Sequence, residues 1–69
     1  MDRSEKIFVA GHRGLVGGAV VRLLEAEGFT RLLKRDRREL DLTDERAVDE
    51  FFRRERPAIV IFAAAKVGG

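Results

Sequence analysis

The sequence predicts an α/β fold in which short parallel strands alternate with helices. Two runs of apolar residues, at 7–10 and 58–63, are typical of strands covered on both faces of a sheet. Between them, two stretches repeat their apolar residues at helical spacing. A glycine-rich segment joins the first apolar run to the first helical stretch. These observations predict the order strand, helix, strand, helix, strand, in one small domain over residues 1–69.

The first strand is predicted at residues 6–10, where four apolar residues follow one another without a polar interruption. The first helix is predicted at residues 15–27, because its apolar side chains recur on one face while charged side chains occupy the other. Gly28 marks its end, since glycine enters the left-handed region at little steric cost. The apolar positions of this helix are Val16, Ala19, Val20, Leu23 and Leu24.

A second strand is predicted at residues 31–34 and a third at residues 58–63, the second being the less apolar of the two. Thr43 is the predicted N-cap of the helix between them, and the two acidic residues that follow it place negative charge in the first helical turn. Pro57 forbids continuation of this helix.

With right-handed crossovers, these elements form the mononucleotide-binding half of a Rossmann fold, with a three-stranded parallel sheet in the predicted order 3-2-1. Both helices are then expected on one face of the sheet. The other face carries alternate side chains of apolar strands and has no cover within the chain. An exposed apolar face of that size predicts either a missing C-terminal part or self-association.

Composition narrows the class of function. Fourteen Lys and Arg and twelve Asp and Glu give a net charge of +2, spread along a chain without Trp or Tyr. A nucleic-acid interface needs a basic stripe and aromatic platforms, so nucleic acid is not a predicted partner. With no Cys and a single His, no metal site is predicted. The N-terminus does not resemble a signal peptide and no apolar run approaches a membrane span, so we expect a cytoplasmic protein with no membrane partner.

The glycine-rich segment reads G-H-R-G-L-V-G from Gly11 to Gly17. A strand, a glycine turn and a helix in this order are the context that a dinucleotide-binding motif requires. Gly11 is expected to make the tight turn, Gly14 to let the backbone approach a pyrophosphate, and Gly17 to let the helix pack closely on the strand. The N–H groups at the start of the helix would face the anion. The alternative is a flexible loop in another kind of α/β domain.

The three-residue glycine spacing resembles that of the short-chain and extended dehydrogenase/reductase superfamily. Three strings narrow the resemblance to the GDP-L-fucose synthase family: A-G-H-R-G-L-V-G at 10–17, R-R-E-L-D-L-T-D at 37–44 and A-A-A-K-V-G-G at 63–69. The resemblance implies NADPH-dependent epimerisation and reduction of GDP-4-keto-6-deoxymannose to GDP-L-fucose. It runs from about residue 6 to the last residue and covers only the first part of such an enzyme.

The same resemblance places the family's catalytic Ser and Tyr-x-x-x-Lys pair beyond residue 69, and this sequence contains no Tyr. No catalytic residue is therefore assigned. The chain is expected to be an inactive N-terminal part whose GDP-sugar substrate binds only in the full-length enzyme. Two alternatives stay open, namely the first half of another NAD(P)-dependent sugar-nucleotide epimerase or dehydratase, and a stand-alone nucleotide-binding module without chemistry.

The choice of cofactor depends on the residues that follow the second strand. An acid there accepts from the ribose 2′-hydroxyl of NAD, whereas the 2′-phosphate of NADP requires guanidinium groups. The resemblance places 2′-phosphate contacts at Arg13 and Arg37, and the planar arginine fork suits a phosphate. Asp36 is the contrary observation, because its carboxylate would suit NAD. The arginines favour NADP over NAD.

The resemblance also places Asp41 at the adenine amino group and Leu42 against the adenine ring. The alternative for Asp41 is a role in starting the second helix. Small residues after the third strand would let the cofactor pass close over its carboxyl end. His12 is expected to contribute its backbone and not a catalytic imidazole. The predicted cofactor-binding residues are Gly11, His12, Arg13, Gly14, Leu15, Val16, Gly17, Arg37, Asp41, Leu42, Ala63, Ala64 and Ala65.

Overall fold

The computed structural model describes residues 2–63, and it confirms the α/β class. All five predicted elements are present, with bounds that differ from the prediction by one or two residues. No helix within residues 2–63 is long and apolar enough to cross a membrane. The elements are β1 (Ile7–Ala10), α1 (Leu15–Ala26), β2 (Leu32–Arg35), α2 (Glu45–Glu55) and β3 (Ile59–Phe62).

The three strands form one parallel sheet in the order β2-β1-β3. Phe8 of β1 lies beside Leu33 of β2 and Val60 of β3. The predicted 3-2-1 arrangement put the second strand in the centre, whereas the central strand is β1. The sequence explains the edge position of β2, because β2 carries Lys34 and Arg35 and is only partly buried, whereas the central β1 is apolar and wholly buried.

The two helices cover opposite faces of the sheet. Because β2 and β3 flank β1 on opposite sides, right-handed crossovers carry α1 to one face and α2 to the other. Val21 of α1 packs with Ile7 and Val9, and Phe51 of α2 packs with Phe8. The expectation that both helices share one face and leave the other uncovered is therefore wrong, since every residue of β1 is buried. The prediction of self-association depended on an uncovered sheet face, and both faces of β1 are covered.

The helix ends are set by local sequence. α1 ends before Gly28, which has a φ of 95° as the glycine signal predicts. The N-cap of α2 is Asp44 and not the predicted Thr43, because the Asp44 carboxylate accepts from the Ala47 N–H at 3.2 Å. The Thr43 hydroxyl instead donates to the Asp41 carboxylate at 2.7 Å, and within residues 2–63 it accepts from no N–H of the first turn of α2.

The strand order marks one end of the sheet as the candidate edge for a ligand. The chain leaves β1 through α1 toward one side and returns through α2 to β3 on the other side. In open α/β sheets, ligands bind outside the carboxyl ends of the strands at such a reversal. The two carboxyl ends meet directly, because the Ala63 N–H donates to the Ala10 carbonyl at 2.8 Å.

Candidate functional site

The glycine turn, residues 11–17, is shaped by main-chain contacts. Gly11 has a φ of 86°, a conformation that residues with a Cβ rarely adopt. The Gly14 N–H donates to the Gly11 carbonyl at 3.0 Å, and the Gly18 N–H donates to the Gly14 carbonyl at 2.8 Å. The chain therefore passes from β1 into α1 through a turn that main-chain hydrogen bonds hold in place.

Gly17 is required by close packing. A Cβ at this position would lie 1.9 Å from the carbonyl oxygen of Gly11, far closer than any real contact. The expected close packing is present, but its partner is the turn itself and not the strand. A Cβ at Gly14 would lie 3.4 Å from the same oxygen, which is an ordinary contact. Within the described residues, the protein itself thus needs the small side chain at Gly17 more than at Gly14.

The N-terminus of α1 presents N–H groups without a capping side chain. Its N-cap is Gly14, which has no side chain to accept from the first turn, and no acidic residue occupies that turn. The N–H groups of Leu15, Val16 and Gly17 precede the first helical hydrogen bond and have no acceptor within the helix. The residues Leu15 and Val16 are 90% and 65% exposed. Such a helix end attracts anions through its partial positive charge.

A cleft of about 720 Å³ lies at the carboxyl end of β1. The glycine turn borders it on one side, and the segment after β2 borders it on the other. Residues 36–43 of that segment are called the polar loop below. The cleft brings together six of the predicted site residues, namely Gly11, His12, Arg13, Arg37, Asp41 and Leu42.

The remaining predicted residues lie outside the lining of the cleft. Residues 14–17 lead from the turn into α1. Ala63 follows β3, is half-buried, and lies next to the end of β1 through its bond to Ala10. Ala64 and Ala65 lie outside the described residues. The structure therefore gathers the glycine turn, the polar loop and the end of β3 at one edge of the sheet.

Asp36 holds the start of the polar loop. Its Oδ1 accepts from the N–H groups of Arg38 at 3.0 Å and Glu39 at 2.9 Å, and its own N–H donates to Glu39 Oε1 at 2.9 Å. Its Oδ2 lies 3.3 Å from Nη1 of Arg13 on the other side of the cleft. The Glu39 N–H is the main cause that holds the pKa of Asp36 below its ordinary value, and the Arg38 N–H and Arg13 add to it. Asp36 is therefore ionised at neutral pH.

Asp41 holds the end of the polar loop. Its Oδ1 accepts from the Thr43 hydroxyl at 2.7 Å and from the Thr43 N–H at 2.9 Å. The Thr43 hydroxyl is the main cause that lowers the pKa of Asp41, and the positive charge of Arg37 lowers it further. Asp41 thus holds the turn that precedes α2. Its Oδ2 has no hydrogen bond within residues 2–63 and can still accept one.

The arginines of the cleft differ in their contacts. Arg13 pairs with Asp36 although its side chain is 74% exposed. Arg37 is exposed, and within residues 2–63 it forms no hydrogen bond or ion pair. Arg35 places its guanidinium 5.4 Å from the centre of the Phe51 ring, a cation–π arrangement that anchors it to α2. Arg38 also lines the cleft, is exposed, and within residues 2–63 its side chain forms no hydrogen bond or ion pair. Arg13, Arg37 and Arg38 can therefore each turn a guanidinium group toward an anion.

Sequence reasoning missed part of the cleft. Leu40 is only 6% exposed and packs in the cluster of Phe8 and Phe51, so it anchors the polar loop to the core. The signal in the sequence was that Leu40 is the one apolar residue directly after a run of charged residues at 34–39, which indicates a buried anchor. Among the predicted residues, His12 has a buried Nδ1 without a hydrogen-bond partner in the described part of the chain. The lining residues that were not predicted are Phe8, Ala10, Arg35, Asp36, Arg38, Leu40 and Thr43.

Parallel strands with alternating helices, a glycine turn at a helix N-terminus and a cleft at the carboxyl end of the central strand define a Rossmann-like domain of the NAD(P)-binding type. Residues 7–69 match the model of the NAD dependent epimerase/dehydratase family. The chain belongs to that family.

Curated relatives carry the comparison further. The chain is 60% identical over 68 residues to GDP-L-fucose synthase 1 of Arabidopsis thaliana, a match that covers 99% of this chain and 21% of the relative. It is 54% identical over 65 residues to the GDP-L-fucose synthase of Escherichia coli K12, covering 94% of this chain and 20% of the relative. The chain thus matches the N-terminal part of GDP-L-fucose synthases and spans about a fifth of their length.

Solved structures give the same fold. A GDP-mannoheptose C4 reductase from Campylobacter jejuni with NADP bound superposes with a TM-score of 0.94 at 40% identity, covering 100% of this chain and 22% of that one. A GDP-D-glycero-L-gluco-heptose synthase from Campylobacter jejuni, crystallised in the presence of NADPH, has a TM-score of 0.92 at 41% identity, covering 96% and 19% of the two chains. The similar structures thus include NADP-bound members of this class.

Proposed function

We propose that this chain is the first half of an NADP-binding domain in an enzyme that makes GDP-L-fucose by NADPH-dependent epimerisation and reduction of GDP-4-keto-6-deoxymannose. The identity to two GDP-L-fucose synthases, 60% and 54%, supports this assignment over another sugar-nucleotide reductase. The heptose-modifying enzymes among the similar structures are 40% and 41% identical. A chain without cysteine leaves the compartment open, and we propose the cytoplasm as the default location.

One observation carries the proposal: a single cleft joins the glycine turn to Arg13, Arg37 and Asp41. The N–H groups at the start of α1 would hold the pyrophosphate. Arg13 and Arg37 would hold the 2′-phosphate, each able to donate two parallel hydrogen bonds. Asp41 would accept from the adenine amino group through its second oxygen, and Leu42 would pack on the adenine ring.

The residues present fit a dinucleotide phosphate. Gly11 takes a φ of 86°, and Gly17 lets α1 approach the turn to a distance that a Cβ would prohibit. The Gly14 N-cap leaves the first N–H groups of α1 available to an acceptor outside the protein. Bound NADPH would supply the hydride for the reduction.

No residue of this chain is assigned to catalysis. The sequence has no Tyr for a Tyr-x-x-x-Lys pair, and the imidazole of His12 has no carboxylate partner within residues 2–63. The share of the work proposed for this chain is to bind and orient the cofactor. The small residues Ala63, Ala64 and Ala65 would let the cofactor cross the ends of β1 and β3.

The test is calorimetric titration of the 69-residue chain with adenosine 2′,5′-bisphosphate and with 5′-AMP, which differ only in the 2′-phosphate. We expect tighter binding of the bisphosphate, and the same preference for NADP⁺ over NAD⁺. Arg13→Ala and Arg37→Ala should each weaken binding of the bisphosphate by about tenfold to a hundredfold, because each removes charged hydrogen bonds to the phosphate. Binding of 5′-AMP should change little.

Arg22→Ala is the matched control. Arg22 is an exposed arginine on α1 outside the cleft, so its loss removes the same charge without removing a proposed contact. Equal weakening by Arg22→Ala and Arg37→Ala would mean that net charge and not a site attracts the ligand. Equal affinity of the unaltered chain for the bisphosphate and 5′-AMP would overturn the choice of NADP.

A further inference from the structure

Asp36 connects the two arginine-bearing segments of the cleft. Arg13 belongs to the glycine turn, Arg37 belongs to the polar loop, and the two segments are far apart in sequence. Asp36 bonds to Arg13 through one carboxylate oxygen and to the backbone around Arg37 through the other. A single side chain therefore links the Arg13 guanidinium to the backbone that carries Arg37.

The contacts on the loop side fix the backbone that carries Arg37. Asp36 Oδ1 accepts from the N–H groups of Arg38 and Glu39, while Glu39 Oε1 accepts from the Asp36 N–H. This reciprocal pair of side-chain-to-backbone bonds has the form of a capping box. The Leu40 N–H also donates to the Asp36 carbonyl at 2.8 Å. Arg37 thus extends from a closed turn whose backbone is held on both sides.

The contact on the glycine side uses one of Arg13's donors. Its Nη1 lies 3.3 Å from Asp36 Oδ2, and an arginine has further N–H groups on Nε and Nη2. Arg13 would otherwise be a long, 74% exposed side chain free to adopt many rotamers. The pair with Asp36 restrains that guanidinium at the rim of the cleft and leaves its other donors for a ligand.

We propose that Asp36 is a positioning residue for recognition of the 2′-phosphate, holding Arg13 and the Arg37 backbone in the arrangement that the phosphate needs. This inference rests on the proposed function, because it concerns the phosphate assigned there to the two arginines. It departs from the simple rule that an acid after the second strand selects NAD. Both oxygens of Asp36 have protein donors, and we therefore assign the carboxylate to the protein. The ribose 2′-hydroxyl is the competing donor that the experiment below must distinguish.

Two substitutions separate the two halves of this role. Asp36→Ala removes every contact of the side chain. Asp36→Asn keeps an oxygen that can accept from the N–H groups of Arg38 and Glu39, since Asn and Asp cap turns about equally well, but it gives up the charge that attracts Arg13. The readout is the ratio of dissociation constants for 5′-AMP and adenosine 2′,5′-bisphosphate, which a merely structural role would not change.

We expect Asp36→Ala to weaken binding of the bisphosphate by about tenfold and of 5′-AMP by less than about twofold, since the lost contacts serve only the 2′-phosphate. Asp36→Asn should weaken bisphosphate binding by about threefold. Asp49→Ala, which removes an exposed carboxylate on α2 outside the cleft, should leave both affinities unchanged. Circular dichroism at the titration temperature establishes that each variant is folded, and Asp36→Asn carries the test if Asp36→Ala is not.

Each other outcome overturns the inference. Equal weakening of both ligands in the Asp36 variants would make the residue a general support of the fold. Weakening of 5′-AMP alone would make it an acceptor of the ribose 2′-hydroxyl, which the bisphosphate lacks. Tighter binding of the bisphosphate would make Asp36 a charge that repels the phosphate. Unchanged affinities for both ligands would mean that Arg13 and Arg37 need no positioning. If the unaltered chain itself shows no preference for the bisphosphate, the proposed function fails, and that failure is visible before any variant is measured.

Discussion

The two borders of the cleft are built by opposite means. The glycine turn takes its shape from what its residues lack, because Gly17 leaves space for the Gly11 carbonyl and Gly14 leaves the helix N-terminus uncapped. The polar loop takes its shape from what its residues carry, since the carboxylates of Asp36 and Asp41 hold it by side-chain hydrogen bonds. One border is steric and the other is electrostatic.

The difference separates two tasks of recognition. Main-chain N–H groups cannot be titrated, so the glycine turn offers the same partial positive charge at every pH and suits a phosphate common to all dinucleotides. Ionised side chains distinguish ligands that differ by a charge, and the polar loop is where such side chains are concentrated. We therefore expect perturbations of the turn to abolish binding and perturbations of the loop to change selectivity.

The largest effect is expected from Gly17→Ala in the glycine turn. The new methyl group would lie 1.9 Å from the Gly11 carbonyl oxygen, so the turn or α1 must move. We expect the free energy of unfolding to fall by about 3 kcal/mol, at the upper end for overpacking because the clash is with backbone. Urea unfolding monitored by circular dichroism measures this change.

Gly18→Ala is the matched control for that prediction. A Cβ there would lie 3.4 Å from Arg22 Nη1, the end of a flexible side chain, and 3.5 Å from the His12 carbonyl oxygen. Alanine should therefore stabilise α1 by up to about 1 kcal/mol through its higher helix propensity. A similar loss of stability in both variants would show that steric packing at Gly17 does not define the glycine turn. The steric half of the comparison would then be wrong.

A smaller effect is expected where the polar loop passes into α2. Asp44→Ala removes the N-cap bond to the Ala47 N–H and should lower the free energy of unfolding by about 1 kcal/mol. Thr43→Ala removes the hydroxyl bonded to Asp41 and should cost about 0.5 kcal/mol. Chemical denaturation of both variants ranks the two positions. A larger loss at Thr43 would restore it as the cap that its sequence position indicates.

Much of the fold was predictable because its signals are local. The apolar run at 7–10, the Gly28 stop and the Pro57 stop each act within a few residues, and each element appeared within one or two residues of its predicted bounds. The strand order was harder, because it depends on which strand must be buried on both sides. The charges of Lys34 and Arg35 already mark β2 as an edge, but they do not decide between β1 and the equally apolar β3 for the centre.

The two borders of the site differ in the same way. The glycine turn was predictable, because the absence of a Cβ has the same consequence in any chain with these flanking elements. The sequence predicted which charged residues the polar loop contains, but not which groups they bond to. Asp36 has Arg35 and Arg37 as its neighbours in sequence, yet it bonds to Arg13 and to the N–H groups of Arg38 and Glu39. The contact with Arg13 arises from the tertiary structure, which brings together residues that are 23 positions apart, and no local sequence pattern indicates it.

The subtlest test of the comparison is acidification. The pKa values of Asp36 and Asp41 lie below the ordinary carboxyl value of 3.8, so the fold favours their ionised forms. The stabilisation from these carboxylates is present above that value and is lost as the pH falls through the lower folded-state pKa values. In an amide NMR titration below pH 3.8, the N–H signals of Arg38, Glu39 and Thr43 should therefore shift, because they donate to these carboxylates.

The glycine turn provides the internal control in the same spectra. The Gly18 N–H donates to the Gly14 carbonyl, which does not titrate, so its signal should stay in place while the chain remains folded. Asp36→Asn should abolish the acid shift at Arg38 and Glu39 but leave the shift at Thr43, which belongs to Asp41. A Gly18 signal that moved together with Glu39 would mean that the two borders respond as one unit. Independent behaviour would establish that the polar loop can change with pH while the glycine turn keeps its form.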